Sequence, residues 1–161
     1  MYRVGDKIVY PMYGAGVIES IEEKEVLGKK QLYYIMRISS GDMKVMIPMA
    51  KCDDIGVRFV IDKQEAVRVL DAFRKAPVTD DTNWNKRHRD NMEKIRSGDV
   101  YQVLEVVKDL MYRDKSKGLS TSERKILNSA KQIMVSELVL SSVADEEDIE
   151  SIICDTVEQL L

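Results

Sequence analysis

A tryptophan within a basic segment is the feature of this sequence with the clearest chemical potential. Trp84 is the only tryptophan, and it stands in Asn83-Trp84-Asn85-Lys86-Arg87-His88-Arg89, just after a stretch that is typical of a loop. Cationic side chains hold the phosphate backbone of nucleic acids, and an apolar ring can wedge between the bases. The segment therefore indicates a nucleic-acid contact made by a ring at the start of a basic helix.

Ordinary packing is the alternative interpretation of the same tryptophan. On a helix that begins near Asn83, one stripe contains Trp84, His88, Met92 and Ile95. Amphipathic helices usually bury their aromatic residues, so spacing alone favours packing. A ring in the first turn can also do both, with its base packed and its edge exposed.

The charge distribution is more informative than the total charge. The whole chain has a net charge of −3, but residues 143–161 hold seven acidic and no basic residues. Residues 1–62 are neutral and residues 63–142 have a net charge of +4. Salt screens charges beyond about 8–10 Å, so a local basic patch decides whether phosphates are bound.

Signals for catalysis, metal binding and membranes are weak. The sequence has no hydrolase, nucleotide-binding or metalloprotease motif, and Gly14-Ala15-Gly16 is a poor candidate for a phosphate loop. His88 is the only histidine, and Cys52 and Cys154 are far apart, which predicts two reduced thiols. No apolar run reaches the roughly 18 residues that span a bilayer. We expect a soluble cytoplasmic protein without catalytic residues, metal or cofactor.

The first 60 residues have the pattern of a small β domain. Short strands are predicted at Lys7–Tyr10, 17–21, 31–38 and 43–47, with turns or bulges at Gly14-Ala15-Gly16, 27–30 and Ser40-Gly41-Asp42. Four or five short strands with tight turns predict an SH3-like or Tudor-like half-barrel over residues 1–62.

From about residue 62 the apolar period becomes helical. Asp62, Asp99 and Ser120 are predicted N-caps, the last within the capping box Ser120-Thr121-Ser122-Glu123. The acidic tail keeps an apolar stripe and is predicted to pack as the last of about five helices. The expected fold class is α+β, with an all-helical domain over residues 63–161.

Together these segments resemble the CarD/CdnL family of bacterial transcription regulators, over nearly the whole chain. The start of the chain is also similar to the polymerase-interacting domain of transcription-repair coupling factors. The motifs that carry the resemblance are Val4-Gly5-Asp6-Lys7-Ile8-Val9-Tyr10-Pro11, Tyr13-Gly14-Ala15-Gly16, Thr82-Asn83-Trp84 with Lys86-Arg87, Ser97-Gly98-Asp99-Val100, Val106-Val107-Lys108-Asp109-Leu110 and Gly118-Leu119-Ser120.

The resemblance implies a Tudor-like domain that docks on the β subunit of RNA polymerase and a helical domain that contacts promoter DNA. Trp84 would wedge into the minor groove at the upstream edge of the melted bubble and oppose its collapse. Lys86, Arg87 and Arg89 would hold the DNA backbone. The resemblance thus favours the wedge over simple packing of Trp84.

For polymerase docking, an edge strand from Met43 to Ile47 is our candidate, because an exposed strand can extend a partner's sheet. The candidate polymerase-binding residues are Lys24, Lys44, Val45, Met46, Ile47 and Pro48. Family members can carry arginine where this chain has Lys24 and Met46, so the surface here is expected to be more apolar. Inward packing of Met46 is the alternative.

Two functions remain open from the sequence, and a third, a small hydrolase or transferase, has almost no support from its motifs. The first is a monomeric, non-catalytic regulator that stabilises the promoter open complex and binds DNA weakly, without strong sequence preference. The second is a protein-only polymerase adaptor in which Trp84 packs in the helical core.

Overall fold

The computed structural model describes residues 1–39, 43–79 and 83–161, and it contains an antiparallel sheet followed by a helical bundle. The strands are β1 (Lys7–Tyr10), β2 (Gly14–Val26), β3 (Lys29–Ile38), β4 (Lys44–Pro48) and β5 (Arg58–Phe59). The helices are α1 (Cys52–Ile55), α2 (Lys63–Lys75), α3 (Trp84–Arg96), α4 (Val100–Ser116), α5 (Thr121–Leu140) and α6 (Glu146–Glu158). The predicted turn Ser40-Gly41-Asp42 and the end of the predicted loop before Asn83 lie outside the described residues.

The sheet has the strand order β4-β3-β2-β1-β5, and every pair is antiparallel. The predicted β half-barrel followed by helices is therefore confirmed. The long β2–β3 hairpin closes through Leu27 and Gly28, which both have positive φ, at 53° and 78°. A two-residue turn of this kind matches the right-handed twist of the strands that it joins.

The predicted turn or bulge at Gly14-Ala15-Gly16 is wrong, because these residues begin β2 and pair with β1 in regular register. Gly14 pairs with Tyr10 and Gly16 pairs with Ile8, so the chain reverses earlier, between β1 and β2. A Cβ on Gly16 would lie 2.1 Å from the Arg37 carbonyl oxygen. The glycine therefore permits a close approach of β2 to β3, a requirement that sequence alone does not distinguish from a turn.

The inner face of the sheet carries its own small core, which includes Ile8, Ile18, Met36 and Ile47, each with no exposed surface. Leu32 lies on the same face of β3 as Tyr34, Met36 and Ile38 but is 49% exposed. Leu32 lies on the part of the β2–β3 hairpin beyond the β3–β4 pairing, past the end of this core.

The three predicted N-caps begin helices α2, α4 and α5. Asp62 accepts from the Glu65 backbone N–H at 2.8 Å, and the Asp99 carboxylate and Ser120 hydroxyl cap their own helices in the same way. The acidic helix α6 buries Ile149, Ile153 and Val157 completely against the bundle. Within the described ranges, no helix is long and apolar enough to cross a membrane.

Helix α5 joins the bundle to the sheet. Its 20 residues extend for about 30 Å at 1.5 Å per residue. Near its C-terminal end, the Ser136 hydroxyl accepts from the Ala15 N–H at 2.9 Å and the Gln132 side chain donates to the Tyr13 carbonyl at 2.9 Å. These bonds seat the C-terminal half of α5 on the start of β2.

Candidate nucleic-acid and polymerase interface

Trp84 is the first residue of α3 and stands at an exposed helix end. The Asn83 side chain caps the helix by accepting from the Lys86 backbone N–H at 3.2 Å. This cap fixes the direction in which the helix begins. The indole is 42% exposed, so more than half of it is covered while one side remains open to solvent.

The covered side of the indole rests on His88, one turn further along the helix. The two rings stack with centroids 5.0 Å apart and an angle of 18° between their planes. The Nδ1 atom of His88 is buried and has no hydrogen-bond partner among the described residues. The stripe then continues through half-buried Met92 to Ile95, which is only 2% exposed. Trp84 is therefore based on the bundle and exposed at the helix tip.

Arg87 points inward rather than towards solvent. Its Nε and Nη2 atoms donate to the two carboxylate oxygens of Glu123 at 2.7 and 3.2 Å, and the two side chains are only 10% and 4% exposed. Burial alone would raise the pKa of Glu123, but the hydrogen bonds and charge of Arg87 outweigh it and hold the pKa below its usual value. Arg87, which we predicted to hold phosphate, is thus committed to a buried ion pair with α5.

Lys86 and Arg89 occupy the outer side of the same helix turn. Both residues are exposed, in contrast to Arg87. Trp84, Lys86 and Arg89 are therefore all exposed in the first turns of α3, with the two cations on a different face of the helix from the indole.

The segment that leads into α3 is held by two adjacent residues of α4. Lys108 donates to the Phe73 and Arg74 carbonyls at 2.7 and 2.9 Å, and so caps the C-terminus of α2. Asp109 accepts from both the backbone N–H and the hydroxyl of Thr79, at 3.0 and 2.8 Å. Burial lowers the pKa of Lys108 and raises that of Asp109. Sequence reasoning missed this role, although a lysine within the apolar run of α4 signals a buried cation that needs carbonyl partners.

The predicted docking strand lies at the edge of the sheet, because β4 pairs only with β3 in the described part of the chain. Lys44 and Met46 point outward and are exposed, and Met46 is 42% exposed. Val45 and Ile47 face the inner core instead, and Ile47 is completely buried. The Ile47 side chain is therefore unavailable as a contact and the half-buried Val45 offers only part of its side chain, since neighbouring residues on a strand face opposite sides.

Met46 does not pack inward, so the alternative interpretation of this residue is wrong. On the outer face of β3, the partners of Lys44, Met46 and Pro48 are Arg37, Ile35 and Tyr33, respectively. Met46 is therefore the exposed apolar side chain on this part of the face, since Ile35 and Tyr33 are only 7% and 6% exposed. Lys24 lies on the same face of β2, opposite Gln31 and beyond the end of β4, and it pairs with Glu22 at 3.4 Å.

A bulge in β2 places a carboxylate on the same outer face, beside Lys44. The register shifts between Ile18 and Ser20, so Glu19 is the extra residue. Its side chain accepts from Arg37 and lies 3.2 Å from the Lys44 ammonium. Hydrogen bonding from Arg37 holds the pKa of Glu19 below its usual range. Lys44 is thus partly neutralised by Glu19, which lowers the net positive charge of this face.

Comparison with protein families divides the chain where the sheet gives way to the bundle. A model described as the CarD-like/TRCF RID domain matches residues 2–61, and a model described as the CarD C-terminal domain matches residues 68–154. The chain belongs to the CarD family. The two matches include all but the ends of the chain and a short connection at the start of α2.

Two known proteins are similar to this CarD-family chain. The putative transcription factor YdeB of Bacillus subtilis (strain 168) is 40% identical over 151 residues, which cover 94% of this chain and 99% of the relative. The solution structure of the 72-residue N-terminal domain of Myxococcus xanthus CarD is 39% identical; the match covers 37% of this chain and 79% of that one, with a TM-score of 0.33.

Membership of the CarD family makes the protein a transcription regulator that interacts with RNA polymerase. The outer face of β4 falls within the matched RID domain, and the α3 tip falls within the matched CarD C-terminal domain. The two candidate surfaces thus belong to different parts of the family architecture.

Proposed function

We propose that this protein docks on the β subunit of RNA polymerase through β4 and stabilises the promoter open complex. In this proposal Trp84 wedges into the DNA minor groove at the upstream edge of the bubble. The protein acts as a monomer and reaches the nucleoid through its polymerase. It catalyses no reaction.

The exposed, supported indole of Trp84 is the observation that carries the proposal. A ring that served only the core would be buried like Phe73, which has no exposed surface, whereas Trp84 is 42% exposed. Stacking on His88 orders the ring before any DNA is met, so less side-chain entropy is lost on binding. This exposure argues against the protein-only adaptor, in which Trp84 would belong to the core.

Lys86 and Arg89 supply the phosphate contacts in this proposal. Arg87 instead holds the helix end in place through Glu123. Each phosphate contact contributes a slope of about −0.9 in log affinity against log salt concentration, so two or three contacts give weak binding to free DNA. The contacts are to the backbone and read little sequence.

Docking through β4 compensates for the weak DNA contact. An edge strand can add to a partner's sheet through main-chain hydrogen bonds, and Met46 offers an exposed apolar side chain on that strand. Once the protein is tethered to polymerase, the DNA contact becomes intramolecular and benefits from a high effective concentration.

The regulatory effect follows from a difference in affinity. Unstacking a base step costs a few kcal/mol, so a wedge binds best where the DNA is already distorted, as at the edge of a bubble. A ligand shifts an equilibrium only by its differential affinity for the two states. Trp84 therefore favours the open over the closed complex, and it slows the return to duplex.

Open-complex lifetime on a defined promoter, with polymerase from the same bacterium, tests the proposal. We expect Trp84→Ala to shorten the lifetime towards that without the protein, while polymerase affinity stays unchanged. The matched control is Tyr13→Ala, which removes a ring with the same 42% exposure from the β1–β2 turn. An unchanged lifetime with Trp84→Ala would overturn the wedge.

The docking surface is tested separately by polymerase affinity. We expect Met46→Asp to weaken binding to the isolated β subunit, because it replaces the exposed apolar side chain of the edge strand with a charge. The control is Val67→Asp, which alters a more exposed side chain on α2. Equal affinity of the two variants would exclude β4 as the docking edge.

A further inference from the structure

Helix α5 carries two buried glutamates on one face. Glu123 and Glu137 are 14 residues apart, almost four helical turns, so they lie within about 40° of each other around the axis and about 21 Å apart along it. Glu123 is 3% exposed and Glu137 has no exposed surface. Buried carboxylates are costly unless they are paired, and each of these two binds an arginine from another element.

Glu137 binds the sheet side of the molecule. Its Oε2 and Oε1 atoms accept from Nη1 and Nη2 of Arg58, at the start of β5, at 2.6 and 2.8 Å. Oε2 also accepts from the Ile61 backbone N–H at 3.0 Å. The carboxylate therefore fixes α5 to β5 and to the connection that leads into α2.

The same arginine also reaches the end of α3. Arg58 donates from Nε and Nη2 to the Gly98 carbonyl at 3.0 and 2.8 Å, in the turn between α3 and α4. This turn is further enclosed because Pro11, in the β1–β2 connection, lies 3.2 Å from the position that a Cβ on Gly98 would take. The C-terminal end of α3 is thus held by the sheet, through Arg58.

The other end of α3 is held by the other glutamate. Arg87 binds Glu123, so α3 is fixed near both of its ends to one face of α5. Trp84 stands three residues before Arg87 and shares its first helix turns. Helix α5 and its two arginine–glutamate ion pairs therefore fix the position of the indole relative to the sheet.

We propose that Arg58 and Glu137 are positioning residues, which hold Trp84 at a fixed place relative to the β4 docking edge. The inference rests on the proposed function. Docking on polymerase raises the effective concentration of the wedge only when the connection between the two surfaces has the right span and stiffness. A bidentate arginine–carboxylate pair supplies geometric specificity, which an apolar contact does not.

Glu137→Gln tests the inference, because the amide keeps the shape and part of the hydrogen bonding but removes the charge. Arg58→Lys is the second variant, since it retains the charge and loses the bidentate geometry. The control is Glu105→Gln. It breaks an ion pair of 2.9 Å between Lys94 and Glu105, which joins α3 to α4 and does not touch the sheet.

Two measurements are needed on the full-length protein. The first is the distance distribution between spin labels introduced by Lys30→Cys on the hairpin and Asn85→Cys on α3, with Cys52→Ala and Cys154→Ala in every variant. The second is open-complex lifetime at saturating protein, together with affinity for polymerase. We expect Glu137→Gln and Arg58→Lys to broaden the distance distribution and to shorten the open-complex lifetime, while affinity for polymerase is retained. The control should change neither.

The outcomes separate this inference from the proposed function. A distribution that stays narrow, or one that broadens while the lifetime is unchanged, overturns the positioning role. Loss of polymerase affinity in parallel with the lifetime also overturns it, because a general folding defect would act on both. If Trp84→Ala itself leaves the open-complex lifetime unchanged, the proposed function is wrong. The distance distribution alone then decides whether Arg58 and Glu137 fix Trp84 relative to the sheet.

Discussion

The two ends of α3 differ in how much of their polar surface is used in contacts with the rest of the protein and how much is exposed. At the C-terminal end, Arg58 donates hydrogen bonds both to the Gly98 carbonyl and to the Glu137 carboxylate, and so links the sheet to the bundle. At the N-terminal end, Arg87 is drawn into the protein by Glu123, while Trp84, Lys86 and Arg89 are exposed. Buried polar groups at a structural joint need partners within the protein, whereas an exposed aromatic ring and exposed cations can be reached by a partner molecule.

The largest expected effect on stability is at the C-terminal end of α3. Glu137→Ala should reduce the free energy of unfolding by about 3–5 kcal/mol, because it leaves the Arg58 charge and the Ile61 N–H without their buried acceptor. Denaturant unfolding measures the loss. Glu150→Ala, at an exposed position of α6, is the control and should change stability by less than about 0.5 kcal/mol. Equal stabilities for the two variants would contradict the contrast.

Arg87 should show an intermediate effect that depends on pH. Arg87→Met should cost about 2–3 kcal/mol at neutral pH, because a buried carboxylate loses its charged partner. The lowered pKa of Glu123 means that the ion pair stabilises the fold above the unfolded-state pKa of the carboxyl. That contribution is lost as pH falls through the lower, folded-state pKa.

The pH dependence gives this substitution its own control. In Arg87→Met, burial without the arginine raises the folded-state pKa of Glu123. The free energy of unfolding should therefore increase less from acidic to neutral pH than it does in the wild type. Free energies of unfolding measured from acidic to neutral pH will show this. Arg89→Met, two positions along α3 and exposed, should keep the wild-type profile. Identical profiles for both variants would mean that Arg87 is not the partner that matters.

Trp84 should matter less for stability than its size suggests. Trp84→Ala is expected to cost about 1 kcal/mol, because a large part of the ring is already in water and mainly the stack on His88 is lost. The comparison is Phe73→Ala, a fully buried ring, which should cost about 3–5 kcal/mol. A loss with Trp84→Ala as large as that with Phe73→Ala would favour the adaptor with a packed tryptophan.

Local signals predicted the elements of the fold and the position of Trp84. Caps at Asp62, Asp99 and Ser120 depend on short-range hydrogen bonds, which follow directly from residue type and spacing. The stripe from Trp84 to Ile95 follows from the helical period, and its gradient from exposed to buried fits a ring whose base is packed and whose edge is exposed.

Long-range pairing was not predictable in the same way. Nothing in the spacing around Arg87 shows that its side chain crosses to Glu123 on another helix, or that Arg58 meets Glu137. A signal was present, because Glu137 lies within the apolar run Met134-Val135-Ser136-Glu137-Leu138 and a buried acid requires a partner. The partner itself depends on how the sheet packs on α5, which is a property of tertiary structure.

The smallest effect on stability is expected at Lys86 and Arg89. Unlike Arg87, these two residues should affect DNA binding rather than folding. Lys86→Ala and Arg89→Ala should each change the free energy of unfolding by less than about 0.5 kcal/mol, since both positions are exposed. If each holds one phosphate, each substitution should reduce the salt dependence of DNA binding by about 0.9 in slope. The measurement is the affinity of the polymerase-bound protein for promoter DNA across a salt series. An unchanged slope in both variants would leave Trp84 without phosphate contacts beside it, and the wedge would then depend on polymerase alone for its placement.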